Sequence, residues 1–301
     1  MQRTTTNWVN SKMFIVLCFS LLLHMALIAQ EQREKKGANP LTTKDGVLND
    51  GKIKDYVINK CSELYEDGQA VSIMDLFKNV GGSFDLQKVK ASKNESFDYE
   101  KQKEGVLIMA KLYLCDKCPN FHANTSSGFV ISKDGLCVSN HHIFAQTEDD
   151  KNTYLGMFAV DCKGNVFPVT KIHAIDEKKD LAIFKVDTRK PLKPLEISSS
   201  DASISHDVHL ISHPFTEYYS YSYGKVTRYY ISPVKESLRA SITADFALGS
   251  SGAPVMDNNG RVVGVVSSTF ALNAAENEAQ MVVKQIVPVS EIYELVKNSQ
   301  L

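Results

Sequence analysis

Ser251 stands in the run Gly249-Ser250-Ser251-Gly252-Ala253-Pro254-Val255. A glycine two residues ahead of it frees the backbone to take a tight turn and aim two N–H groups at one point. A serine so placed can attack an acyl carbon, with the Gly249 and Ser251 N–H groups as donors to the oxyanion that develops. The Gly-x-Ser-x-Gly elbow of α/β-hydrolases requires a histidine after the serine. Here all eight histidines (24, 122, 141, 142, 173, 206, 209 and 213) precede Ser251, and Ala253 fills the elbow's fifth position. Only a His, Asp, Ser order of triad members stays open.

Two upstream stretches can supply the partners. Ser127-Gly128-Phe129-Val130-Ile131 and Leu136-Cys137-Val138-Ser139 read as strands joined by a Lys133-Asp134-Gly135 turn, and the second strand delivers the pair His141-His142. Further on, Asp180 stands at the mouth of the apolar run Leu181-Ala182-Ile183-Phe184, where an acid can orient an imidazole. A lone histidine or aspartate in such a place is more often structural. Three groups in the right order, each with its flanks, form a constellation.

These residues resemble the chymotrypsin-fold serine peptidases, and within them the bacterial Deg/HtrA-type proteases. The family's Ser-Gly-Phe, Ser/Thr-Asn-x-His, Asp-Leu-Ala and Gly-x-Ser-Gly-x-Pro segments fall on Ser127 to Phe129, Ser139 to His142, Asp180 to Ala182 and Gly249 to Pro254. The resemblance runs from about Val106 to the C-terminus. It implies His142 as general base, Asp180 as its orienting acid, Ser251 as nucleophile, and the Gly249 and Ser251 N–H groups as oxyanion hole. It also implies an all-β fold of two packed six-stranded barrels, about 106–190 and about 195–289, with the triad at their seam. His141 occupies a position often small in the relatives, and the Ser-Asn-x-His register selects His142, since neighbouring strand residues face opposite ways. Ala253 replaces a common glycine, a change of one methyl expected to be tolerated.

The chemistry implied is acyl transfer: a neutral imidazole takes the serine proton, the imidazolium protonates the leaving amine, and water releases the acyl-enzyme. No metal or organic cofactor is required, and the expected partners are protein or peptide substrates. The run Gly264 to Thr269 resembles the family strand that pairs with substrate backbone, which makes Ser267 and Thr269 candidate substrate contacts. Asp245, six residues before the nucleophile, has two readings: an acid at the base of the specificity pocket favouring Lys or Arg, or a group capping a turn. Ser250 stands where digestive relatives hold the acid that receives a freed N-terminus, so activity without that cleavage is expected. The contrasting function class is a protease-fold protein that binds or scaffolds partners without turnover.

Charge names no partner. The 301 residues carry 34 Lys and Arg against 35 Asp and Glu, a formal charge of −1. Removing residues 1–29, whose only charges are Arg3 and Lys12, takes it to about −3, so a general nucleic-acid grip is not indicated. The apolar run Met13 to Ala29 reads as a secretory signal peptide cleaved near Ala29, for a secreted or periplasmic protein; the alternative is an uncleaved membrane anchor. Cys18 stands after Leu17, too large for a lipoprotein signal. Beyond residue 29 there are five cysteines: Cys61, Cys115, Cys118, Cys137 and Cys162. An odd number cannot all pair within one chain. Cys115, Cys118 and His122 offer three zinc ligands with no evident fourth, and a disulfide is the blander expectation.

Residues 30–105 differ in character from the β-rich remainder of the chain and predict an N-terminal extension with helices near Lys52 to Tyr65 and Val71 to Asn79. Ile53, Tyr56, Val57, Cys61 and Leu64 recur at helical spacing, as for a face docked on the protease or on a partner. From Val106 onward, six apolar runs separated by turn signals give the all-β pattern: 106–109, 128–131, 158–160, 181–184, 208–211 and 261–266. Asp257-Asn258-Asn259-Gly260 is a strong hairpin turn and Cys162-Lys163-Gly164-Asn165 a weaker one. Ser290 is expected to cap a C-terminal helix burying Ile292, Leu295 and Val296. Many Deg-type relatives carry PDZ domains after the barrels; none is expected before Leu301.

Overall fold

The computed structural model describes residues 39–84, 86, 96–146, 151–275 and 278–299. The expected signal peptide, its anchor alternative and Cys18 lie outside the described residues. Each of the six apolar runs lies within or overlaps a strand, and twelve strands close into two barrels. The first comprises β1 (Val106–Leu114), β2 (Phe121–Val130), β3 (Leu136–Ser139), β4 (Thr153–Val160), β5 (Val166–Asp176) and β6 (Leu181–Val186), in spatial order β1-β2-β3-β6-β5-β4. The second comprises β7 (Asp207–Ser212), β8 (Ser220–Ile231), β9 (Leu238–Ile242), β10 (Pro254–Met256), β11 (Val262–Ala275) and β12 (Glu278–Pro288), in order β10-β11-β12-β9-β8-β7. All pairings within the barrels are antiparallel, and closure leaves neither sheet an open edge.

The turns form where the sequence places them. The Gly260 N–H donates to the Asp257 carbonyl at 2.9 Å, and the Gly164 N–H to the Asp161 carbonyl at 3.0 Å. Both glycines take positive φ, +74° and +82°, a conformation that costs other residues steric strain.

Among the described residues, three helices precede the barrels: α1 (Asp50–Glu66), α2 (Ile73–Lys78) and α3 (Tyr99–Lys103). The helical face read from the sequence docks on the barrels themselves. Ile53, Val57 and Cys61 of α1 are fully buried in one apolar cluster with Val106, Ile108 and Phe129 of barrel 1. The Tyr56 hydroxyl donates to the Gly164 carbonyl at 2.7 Å, and the Asp50 carboxylate accepts from the Tyr218 N–H at 3.1 Å. The extension thus touches both barrels.

The C-terminal helix α4 (Val289–Ser299) buries Ile292, Leu295 and Val296 as read from the sequence. Its cap differs. Ser290 lies inside the helix, and both its N–H (2.9 Å) and its hydroxyl (2.8 Å) donate to the Asp201 carboxylate. An aspartate distant in sequence satisfies the first-turn N–H and adds negative charge at the positive end of the helix dipole.

Candidate active site

The β3 strand ends at Ser139, and the chain turns at once. The His141 carbonyl accepts from the N–H groups of Phe144 (3.0 Å) and Ala145 (3.2 Å). That turn sets His142 at the domain surface, its side chain 47% exposed, while Asp180 on the β5–β6 turn is 7% exposed. The two meet: His142 Nδ1 lies 2.9 Å from Asp180 Oδ1 and 3.1 Å from Oδ2, and the His142 backbone N–H donates to Oδ1 at 3.2 Å. Asn140 adds a bond from Nδ2 to the Asp180 carbonyl at 2.8 Å. The ring of Phe77 from α2 lies edge-on to His141 at 6.5 Å.

Asp180 is held from several sides. The Ser267 hydroxyl donates to its Oδ2 at 2.6 Å. Burial raises the carboxyl pKa, but the hydrogen bonds from His142 and Ser267 and the His142 charge outweigh it, leaving the group below its ordinary value. The backbone of Asp180 takes a φ of +56°, a left-handed conformation unusual for a residue with a Cβ. Its turn is clamped on both flanks. Lys179 pairs with Glu291 and, at 2.9 Å, with Glu294 of α4. The Lys178 carbonyl accepts from Ser237 Oγ at 2.6 Å and from the buried Arg239 guanidinium at 2.8 Å.

Across the seam, barrel 2 presents Ser251 on the loop before β10. The Gly252 φ is +86°, and a Cβ there would lie 2.0 Å from Ser139 Oγ and 2.1 Å from the Ser127 carbonyl. Gly249 has φ +96°, and a Cβ there would sit 2.4 Å from the His213 carbonyl. Glycine is required at both for conformation and for space. Barrel 1 locks this loop: Ser127 donates from its N–H to the Ser251 carbonyl (2.9 Å) and from its hydroxyl to the Gly249 carbonyl (2.9 Å).

The peptide planes that carry the two candidate oxyanion donors are fixed through their carbonyls. Leu248 C=O accepts from the Phe215 N–H at 2.7 Å, and Ser250 C=O from the Ala253 N–H at 3.0 Å. In a trans peptide the N–H points opposite to the C=O, so the Gly249 and Ser251 N–H groups are turned away from those donors. Phe215, Thr216 and Tyr219 hold positive φ in the segment that supplies the Phe215 N–H. Ser250 is fully buried with its hydroxyl 3.0 Å from that of Ser212.

His142 and Ser251 line the same two cavities. One, 560 Å³, runs over Thr125, Ser126, Phe215 and Gly249 and reaches Lys54 of α1. The other, 330 Å³, is walled by Phe246, Ala247, Leu248, Val266 and the segment Ser267 to Thr269. The Ser251 hydroxyl donates to the Ser267 carbonyl at 3.3 Å.

The structure does not bring Asp245 to this cavity. Its side chain is 91% exposed and pairs with Lys284 Nζ at 3.2 Å, while Lys284 also donates to the Phe246 carbonyl at 2.8 Å. Among the described residues the pocket wall carries no acid, so Asp245 does not supply a charge partner there. Ser267 and Thr269 do line it. The second bond of Ser267, to Asp180, is not legible in the sequence, nor are the parts played by Lys179, Arg239 and Ser127. A β-bulge between Val266 and Ser268 turns the Ser267 side chain inward, and sequence alternation gives no sign of it.

Residues 126–265 match the family model described as Trypsin-like peptidase domain. That stretch carries a trypsin-like peptidase domain, similar to those of Deg/HtrA-type serine proteases. It is 32% identical over 156 residues to Protease Do-like 5, chloroplastic, of Arabidopsis thaliana, covering 48% of each chain. It is 30% identical over 155 residues to a probable periplasmic serine endoprotease, DegP-like, of Hahella chejuensis, covering 50% of this chain and 31% of the relative. Serine protease HTRA1B of Danio rerio is 31% identical over 148 residues, 47% of this chain and 29% of the relative. The chain matches about half or less of the length of these relatives. They support a peptidase function for the peptidase domain, and the bonds about His142, Asp180 and Ser251 lie at the seam of its barrels.

Proposed function

We propose that the protein is an exported serine endopeptidase, with Ser251 as nucleophile, His142 as general base and Asp180 as the acid that fixes the imidazole. The carrying observation is the pair of bonds from His142 Nδ1 to the buried Asp180 carboxylate at 2.9 and 3.1 Å. They commit Nδ1 to carrying the proton and leave Nε2 as the lone-pair acceptor for the Ser251 proton. As the hydroxyl attacks the scissile carbonyl, charge builds on its oxygen, and the Gly249 and Ser251 N–H groups are the proposed donors to it. The imidazolium then protonates the leaving amine, and His142 activates the water that releases the acyl group.

The side chain before the scissile bond enters the 330 Å³ cavity. With Phe246, Ala247, Leu248 and Val266 in its wall and no charged side chain among the described residues that line it, an apolar residue of modest size is favoured there. Substrate backbone extends along Ser267 to Thr269, whose opposite edge pairs with Gln285 and Lys284 of β12. Export rests on the apolar run Met13 to Ala29 and on the periplasmic assignment carried in the names of DegP-like relatives.

The mature protein incubated with a proteome-derived peptide library, with new termini mapped by mass spectrometry, is expected to cut after apolar residues, and Ser251→Ala to cut nothing. Cleavage confined to sites after Lys or Arg would refute the pocket assignment. Hydrolysis of esters without any peptide cleavage would refute the endopeptidase reading.

A further inference from the structure

The β1–β2 hairpin ends in a six-residue loop, Cys115-Asp116-Lys117-Cys118-Pro119-Asn120, that gathers three soft donors the triad does not use. Cys115 Sγ and Cys118 Sγ are 3.4 Å apart, and His122 Nε2 lies 3.4 Å from the first and 3.0 Å from the second. A tetrahedral zinc ion with bonds of about 2.3 Å to sulfur and about 2.1 Å to nitrogen separates two sulfurs by about 3.8 Å and sulfur from nitrogen by about 3.6 Å. Each edge of the observed triangle need open by only a few tenths of an ångström to admit the ion. The triangle is too wide, by contrast, for a sulfur–sulfur bond of about 2.05 Å.

The surroundings hold the donors in place. His122 is the cross-strand partner of Tyr113, and the two rings stack with centroids 5.3 Å apart, fixing the imidazole plane. The other cysteines are placed differently: Cys61 and Cys137 are buried among apolar residues, and all five described cysteines are free.

We propose that Cys115, Cys118 and His122 bind one zinc ion, with the fourth position taken by water. Binding releases the two thiol protons, and two thiolates with one neutral imidazole leave the site without net charge. The ion ties the end of β1 to the start of β2. Those strands continue into Lys111, Ala123, Asn124, Thr125 and Ser126, which wall the 560 Å³ cavity beside Ser251, so the metal is a staple for one side of the cleft rather than a participant in the reaction.

The test uses the full mature chain, prepared with zinc chloride and without chelator, and read by elemental analysis together with intact mass after rapid alkylation. The expected result is about one zinc per chain, with Cys115 and Cys118 protected from alkylation until a chelator is added. Cobalt(II) in place of zinc is expected to give the thiolate-to-metal absorption of a tetrahedral site. Cys118→Ser and His122→Ala are each expected to lose the metal, while Cys162→Ser, outside the cluster, keeps it. A Cys115–Cys118 disulfide in the isolated protein would overturn the proposal, as would freely alkylated thiols in the presence of added zinc. Undiminished zinc content in His122→Ala would overturn the ligand set. Should Cys118→Ser fail to fold, the cobalt spectrum and alkylation pattern of the wild-type protein decide alone.

Discussion

Barrel 1 and barrel 2 meet at the seam with unequal means. Barrel 1 offers His142 and Asp180 from the ends of strands whose residues are almost all buried, and one left-handed residue, Asp180 itself, sits among them. Barrel 2 offers Ser251 from a loop whose shape depends on Gly249 and Gly252 at positive φ and on a neighbouring segment with Phe215, Thr216 and Tyr219 in the same region. Each strained residue costs on the order of 1 kcal/mol and persists only when its surroundings over-determine it. On barrel 1 the burden falls on hydrogen bonds and ion pairs around one carboxylate. On barrel 2 it falls on backbone conformation. Asp180 and His142 should therefore be sensitive to side-chain chemistry, and the Ser251 loop to volume.

The largest expected effect tests the barrel 1 side. Asp180→Asn keeps the shape but lets the imidazole settle in the wrong tautomer, and kcat is expected to fall by about 10⁴-fold while the urea midpoint shifts little. Comparable losses of activity and stability would mean that Asp180 acts mainly as a structural anchor.

Gly252→Ala tests the other side. The added methyl meets Ser139 Oγ and the Ser127 carbonyl at about 2 Å in a φ of +86°, and the expected cost is roughly 3 kcal/mol or more of stability, read by urea denaturation. Wild-type stability in that variant would show that the loop yields, and the contrast between the barrels would fail.

A smaller effect separates the two sides by pH. Burial of His213, at the head of the strained segment, pushes its pKa from 6.5 to about 3. In the folded state the ring stays neutral, while the unfolded chain takes up a proton below pH 6.5. This contribution to stability is complete above pH 6.5 and drains away as pH falls toward 3, by about 2 kcal/mol at pH 5. Asp180 has its pKa lowered from 3.8, so its contribution is present above that value and is lost only in stronger acid. His213→Asn, which can still accept from the Tyr219 N–H that meets Nδ1 at 3.0 Å, is expected to flatten the dependence between pH 7 and 5. An unchanged slope would assign the acid sensitivity elsewhere.

How much the sequence discloses depends on the range of the interactions involved. The flanks of His142, Asp180 and Ser251 are contiguous, and the alternation and turns that deliver them are local. The strand β12 mixes Glu278, Gln280, Lys284 and Gln285 with apolar residues, because much of it lies exposed, and its apolar stretches are short and broken by Lys284 and Gln285. Asp245 fails as a pocket acid because the loop turns its side chain toward Lys284, a residue remote in sequence on β12. Asp201 caps α4 in place of Ser290 for the same reason: the donor and acceptor are joined by the tertiary fold. The helical face of α1 is legible, but its partner is not, since an apolar stripe states that it will be buried and does not state against what.

The central claim is that His142, Asp180 and Ser251 work as one unit across the two barrels. It is tested most directly by reacting the mature protein with a fluorophosphonate and mapping the labelled residue by mass spectrometry, beside Ser251→Ala and His142→Ala. Labelling of Ser251 in the wild type, abolished in the first variant and strongly reduced in the second, is the predicted result. A folded wild-type protein that stays unlabelled, or a label on Ser251 indifferent to the loss of His142, would contradict it and favour a binding role for the same fold.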